Sequence, residues 1–178
     1  MALLFSAPAR RAVAVMLTLM IGACGSSSTP MDTADDATGS VAPCVTDEST
    51  TFVRPFEVDA SQYPFDSCAY ETGSGLLHYV DAGPRDATHT VVMVHGNPTW
   101  SFLYRNIARE LVAEGHRVII PDHLGMGMSE VPSTASFDYL PRSHSENLER
   151  LVVALDLGNV TLVVQDWGGP IGLGMATR

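Results

Sequence analysis

TLVVQDWGGPIGLGM, residues Thr161 to Met175, is the stretch whose reading decides the fold. Leu162, Val163 and Val164 are apolar and largely β-branched, which predicts a buried strand over Thr161 to Gln165. Asp166 follows at once, then Trp167, Gly168 and Gly169, and a helix of small residues is expected from Pro170 to Thr177. Strand, acid, two glycines and helix is the layout of a nucleophile elbow, in which a reactive side chain stands on a sharp, strained turn at the end of a sheet strand. The elbow residue here is Asp, not the commoner Ser, and a carboxylate favours displacement at saturated carbon over acyl transfer. Aspartate is also a favoured helix N-cap, so capping is a second role that the same turn could give Asp166.

Working outward, the same strand-then-turn pattern recurs upstream. TVVMV, Thr90 to Val94, is a continuous apolar run, the mark of a strand covered on both faces. It ends in His95-Gly96-Asn97-Pro98. RVIIP, Arg117 to Pro121, leads into Asp122-His123-Leu124-Gly125-Met126-Gly127. GLLHYVD, Gly75 to Asp81, reads as a further strand closed by Gly83-Pro84. Between these runs lie two helical patterns. One spans about Trp100 to Glu114, with Leu103, Ile107 and Leu111 at a spacing of four and Gly115 as its stop. The other spans about Pro141 to Leu157, with Leu148, Leu151, Val152 and Leu155 as an apolar stripe and Gly158-Asn159 at its end. Strands alternating with amphipathic helices predict an α/β fold with a mostly parallel sheet and helices on both faces. Ligands of such sheets bind beyond the carboxyl ends of the strands, where all three unusual turns fall.

The beginning of the chain reads differently. Arg10 and Arg11 precede an apolar run from Ala12 to Ala23, too short for a confident membrane span, so residues 1–23 read as an export signal. Ile21-Gly22-Ala23-Cys24 resembles the lipobox of bacterial lipoproteins, which implies cleavage before Cys24 and its lipidation; an ordinary secretory signal cleaved after Ala23 is the alternative. Either way the protein is expected to be exported. A lipidated Cys24 would anchor it to a bacterial membrane, facing the periplasm or the exterior. Residues 24–50 are rich in Gly, Ser, Thr, Asp and Ala and read as a flexible tether, with folding expected over 51–178 and Phe52, Val53, Phe56 and Val58 leading in. Cys44 and Cys68 then remain as an even pair, which an oxidising compartment would allow to form a disulfide; two free thiols fit the sequence equally. The three cysteines show no metal-ligand spacing, and a net charge of −10 argues against a nucleic-acid partner.

Three blocks carry a family resemblance. HGNPTWSFLYR (His95 to Arg105), PDHLGMGMSE (Pro121 to Glu130) and VVQDWGGPIGLGMA (Val163 to Ala176) resemble the haloalkane dehalogenase branch of the α/β-hydrolase fold, in order and at compatible spacing over roughly residues 60–178. Epoxide hydrolases resemble it less well. The β-lactone (oxetanone) decarboxylases resemble it about equally in the first block. The resemblance implies that Asp166 is the nucleophile and that Asn97 and Trp167 hold the departing halide through side-chain N–H donors. Their backbone N–H groups would form an oxyanion hole for ester hydrolysis. Pro98 would follow a cis peptide. The expected substrate is a small hydrophobic organic molecule. A binding module without catalysis is the alternative from another class.

The remaining candidates read as structural. His95, His123, His78, His89, His116 and His144 are expected to serve turns and packing, and Gly172 and Gly174 to serve helix packing. No nucleotide register surrounds those glycines, so no cofactor and no metal is expected. The family's triad runs nucleophile, acid, histidine, yet no histidine follows Asp166. The expectation is therefore that the C-terminal half and lid lie outside this chain. An incomplete sequence is favoured over a genuinely short protein, because half a sheet would leave a long hydrophobic edge. Expressed alone, the chain is expected to aggregate or fold poorly; cooperative thermal unfolding with sharp near-UV circular dichroism would contradict this.

Overall fold

The computed structural model of the chain describes Cys44 and residues 56–178. The expected signal over 1–23, the tether over 24–50 apart from Cys44, the Cys24 anchor, Phe52 and Val53 lie outside the described residues. Among the described residues no helix is long and apolar enough to cross a membrane.

In chain order the elements are β1 (Cys68–Glu71), β2 (Leu76–Ala82), β3 (Thr90–Val94), α1 (Arg105–Ala113), β4 (Arg117–Pro121), α2 (Pro141–Ala154), β5 (Val160–Val164) and α3 (Gly168–Ala176), with a 3-10 turn over Ser101–Tyr104 leading into α1. The strands form one sheet in the order β1-β2-β4-β3-β5. β3 pairs parallel with both β4 and β5. The described sheet is mixed but mostly parallel, as expected: β1, β4, β3 and β5 run in one direction, and β2 runs antiparallel between β1 and β4. The loop between β1 and β2 is only residues 72–75, and so short a connection permits antiparallel pairing alone. β1 itself, four residues without apolar alternation, had no signature in the sequence.

Side-chain alternation along the strands builds two cores. Val80, Val91, Met93, Val118 and Ile120 point to one face, where Tyr104 and Ala108 cover them. Leu77, Tyr79, Val92, Val94 and Ile119 point to the other, under Leu148 and Leu151 of α2 and Ile171 of α3. Helices thus cover both faces, as the continuous apolar runs of β3 and β4 require. In α3, Gly172 lies against Leu162 and Val164 of β5, so it serves packing, as expected.

The helices differ from the sequence reading in phase and in their ends. Leu103 and Ile107 are exposed, and Tyr104 and Ala108 are buried in their place. The spacing of four is kept but sits one residue later, with Tyr104 and Ala108 packed on the sheet where Leu103 and Ile107 turn outward. α1 ends as expected at Gly115 (φ +84°), with the Gly115 and His116 N–H groups donating to the Val112 and Leu111 carbonyls. α2 ends in the same motif, but the left-handed residue is Asp156 (φ 49°), two positions before Gly158.

The disulfide left open by the sequence is formed: Cys44 is bonded to Cys68 at the start of β1, closing a loop with a sequence separation of 24. By chain entropy a loop of this size stabilises the fold by about 3 kcal/mol. At the other edge β5 pairs only with β3 among the described residues, and four of its five residues are half-buried where β3 is buried throughout.

Candidate active site

Asp166 sits two residues beyond the end of β5 with φ 52°, in the left-handed region that non-glycine residues rarely occupy. Close packing enforces the turn. A Cβ on Gly96 would lie 2.5 Å from the Asp166 side chain, and one on Gly168 would lie 2.1 Å from the Val94 carbonyl oxygen. Glycine at both positions lets the β3 and β5 turns close on each other. The N-cap of α3 is Trp167 and no side chain caps the helix, so capping is not the role of Asp166.

The carboxylate instead receives backbone donors. The Asn97 N–H donates to Asp166 Oδ1 at 3.0 Å. The Trp167 N–H bonds the same carboxylate; with the Asn97 N–H as the second cause, it holds the Asp166 pKa below the ordinary aspartate value. These are the two amides that the resemblance assigns to an oxyanion hole, and here they act on the carboxylate itself. Asp166 is exposed and ionised at neutral pH, with oxygen lone pairs left over.

The side chains of Asn97 and Trp167 belong to the two residues whose amides act on Asp166. Asn97 is exposed, Trp167 is 50% exposed, and among the described residues no acceptor meets the indole N–H. Both are free to serve a ligand. The Asn97–Pro98 peptide is cis, as the resemblance implied.

The ends of β3 and β4 also carry a buried polar network, whose histidines the sequence reading took as structural. Asp122, at the end of β4, is fully buried. Its Oδ1 accepts the Ser101 N–H at 2.6 Å, and its Oδ2 accepts the Met128 N–H at 3.0 Å and pairs with His78 Nδ1 at 2.9 Å. Burial alone would raise the Asp122 pKa; the hydrogen bond to His78 and that from the Met128 amide oppose it, and the value falls below the ordinary one. His95 and His123 are locked reciprocally. The His123 N–H donates to His95 Nε2, and His123 Nε2 lies 3.1 Å from the His95 carbonyl oxygen. The rings of His123 and His144 are 5.0 Å apart. Burial lowers the pKa of His95 and His144, and that of His123 more strongly, so the stack is neutral. His89 and His116 lie at the opposite end of the sheet, beside the first residues of β3 and β4. The signal that could have found Asp122 was available: a carboxylate directly after a continuous apolar strand must be either paired or reactive. Among the described residues no group of His, Cys, Asp and Glu could hold a metal ion.

A family model described as alpha/beta hydrolase fold matches residues 89–178. The chain belongs to that family. Among curated relatives of this α/β hydrolase, a cis-3-alkyl-4-alkyloxetan-2-one decarboxylase of Shewanella oneidensis is 43% identical over 116 residues, covering 65% of this chain and 35% of the relative. A haloalkane dehalogenase of Psychrobacter cryohalolentis is 47% identical over 97 residues, covering 54% of this chain and 31% of the relative. Among solved structures, the tetrameric haloalkane dehalogenase of Paraglaciecola agarilytica superposes with a TM-score of 0.57 at 33% identity, covering 68% of this chain and 44% of that one. Epoxide hydrolases also stand among the similar structures. The α/β hydrolase described here spans about a third of the length of the curated relatives it matches.

Proposed function

We propose that this α/β hydrolase performs nucleophilic displacement of the haloalkane dehalogenase type. The observation that carries the reading is an exposed carboxylate on a left-handed turn, held by the Asn97 and Trp167 amides with lone pairs to spare. A free Asp166 oxygen attacks the carbon bearing the halogen, the C–O bond forms as the carbon–halogen bond breaks, and the halide leaves with the bonding pair. The Asn97 side-chain N–H and the Trp167 indole N–H receive the developing negative charge. The product is an alkyl ester of Asp166 whose carbonyl oxygen stays on the backbone amides. Water attack at that carbonyl would place an oxyanion on the same donors and release the alcohol.

A second reading is favoured by the oxetanone decarboxylase, whose match covers 65% of this chain. In it Asp166 opens a β-lactone ring at saturated carbon. Halide release from a panel of short haloalkanes, lost in Asp166→Asn, supports the first reading. Carbon dioxide from a cis-3,4-dialkyl β-lactone without halide release moves the assignment to the second, and diol from an epoxide would point to the ring-opening hydrolases. None of the three products would count against Asp166 as nucleophile. The substrate in every case is small and largely hydrophobic.

The same proposal includes export and a lipid anchor at Cys24. The Ile21-Gly22-Ala23-Cys24 sequence supports the anchor, and the Cys44–Cys68 bond fits an oxidising compartment. Incorporation of a labelled fatty acid, lost in Cys24→Ser, is the expected result; equal labelling of both proteins would remove the anchor.

A further inference from the structure

We propose that His95 is a positioning residue that aims the Asn97 N–H at Asp166 by gripping the other end of the same peptide unit. The inference rests on the reading of Asp166 as nucleophile for its meaning, but its geometry stands apart from any turnover.

The Gly96–Asn97 peptide is trans, so its C=O and N–H point in opposite directions from one rigid plane. Whatever fixes the Gly96 carbonyl therefore fixes the Asn97 N–H. Three donors meet that carbonyl: the His95 ring through Nδ1 at 2.8 Å, and the N–H and hydroxyl of Thr99, each at 3.1 Å. On the far side of the plane the Asn97 N–H reaches Asp166 Oδ1 at 3.0 Å. Donors on a peptide oxygen also polarise the unit and strengthen its N–H as a donor.

The proton on His95 follows from its partners. A backbone N–H can only donate, so the bond from His123 N–H at 3.1 Å makes His95 Nε2 an acceptor without a proton. The ring is then neutral and carries its proton on Nδ1, which donates to the Gly96 oxygen. His123 completes the lock: a carbonyl can only accept, so its Nε2 carries a proton and donates to the His95 oxygen. Tyr104 pins the preceding residue, its hydroxyl donating to the Val94 carbonyl at 2.9 Å. His95 is fully buried, out of reach of solvent, so it acts through the peptide and not by contact.

The test begins with the wild-type chain. A long-range proton–nitrogen spectrum at neutral pH is expected to show His95 protonated at Nδ1 only; an Nε2–H ring or an imidazolium would overturn the proposal. Two variants then separate aiming from general support. His95→Asn keeps a donor near the Nδ1 position, and His95→Gln offers an acceptor to the His123 N–H but loses the donor to Gly96. Carbon-13 titration of the Asp166 carboxyl is expected to give a wild-type pKa in His95→Asn and a pKa raised toward the ordinary value of about 3.9 in His95→Gln. A structural role alone would lower the unfolding midpoint of both and leave Asp166 unmoved. A folded His95→Gln with an unshifted Asp166, or an equal shift in both variants, would contradict the clamp. Should either variant fail to fold, the wild-type tautomer still decides. Loss of ester formation with the clamp intact would instead strike the nucleophile reading.

Discussion

Asp122 and Asp166 follow β4 and β5, the two strands that flank β3, yet the same side chain has opposite fates in the two places. Asp122 is fully buried and its oxygens are taken by His78, Ser101 and Met128. Buried behind these three partners, it is out of a ligand's reach. Asp166 is exposed, stands on a left-handed backbone, and accepts two amides with capacity to spare. The difference teaches that residue type at a strand end does not identify the reactive group; unspent lone pairs and access do. It also divides the labour. The buried carboxylate ties the Ser101 turn and the Met128 loop to β4, and those tie down the floor beneath the exposed one.

The largest contrast is expected from removing each carboxylate. Asp166→Asn should abolish ester formation while leaving the unfolding midpoint nearly in place. Asp122→Ala should do the reverse in origin, costing about 3–5 kcal/mol of stability because His78 loses its buried partner. Denaturant unfolding of both variants checks this, and a mild Asp122→Ala would dissolve the distinction.

Acid should attack the buried region first. The folded pKa of His144 is pushed down to about 4, by burial and then by His95, and His95 and His123 are lowered too. The unfolded histidines titrate near 6.5, so between these values the unfolded chain binds protons that the native one refuses. Stability is then complete above about pH 6.5 and falls as pH drops toward 4. Asp122, with its folded pKa also lowered, adds a further loss only below the unfolded aspartate value of about 3.9, as pH falls through its folded value. A midpoint that is flat from pH 7 to 4, or a profile unchanged in His144→Phe, would show that the histidine stack carries no such penalty.

The smallest effect sharpens the contrast through a third aspartate. Asp156 shares the left-handed backbone of Asp166, at φ 49° against 52°, but ends a helix on the surface. Asp156→Gly should raise stability by about 0.5–1 kcal/mol by removing the strain. Asp166→Gly removes the same strain together with two amide bonds, so its gain should be smaller. Equal gains would mean that the amides do not hold the carboxylate.

Most of the site's upper layer was legible in the sequence. A β-branched strand followed by Asp-Trp-Gly-Gly admits few backbones, so Asp166 and Trp167 stood out, and the Asn97 turn came with the matching end of β3. The layer beneath was not legible, because a buried histidine has no periodic signature: His95, His123 and His144 come from three segments and meet only when β3, β4 and α2 pack. The α1 stripe misled by one position, because a spacing of four fits Tyr104 and Ala108 as well as Leu103 and Ile107. β1 and the reversed direction of β2 hid because four residues carry too little pattern and a hairpin partner is set by the turn.

The central claim is that Asp166 is a nucleophile toward saturated carbon. The histidines of the described residues are buried in the stack and around Asp122, or stand at the far end of the sheet, so an ester formed on this chain has no base among them to remove it. Intact-mass analysis after exposure to a short alkyl bromide is therefore the most direct measurement. The account predicts one added alkyl group, located at Asp166 by fragmentation, matched by one equivalent of bromide and missing from Asp166→Asn. No adduct across a range of alkyl bromides, or an adduct that persists in Asp166→Asn, would contradict it.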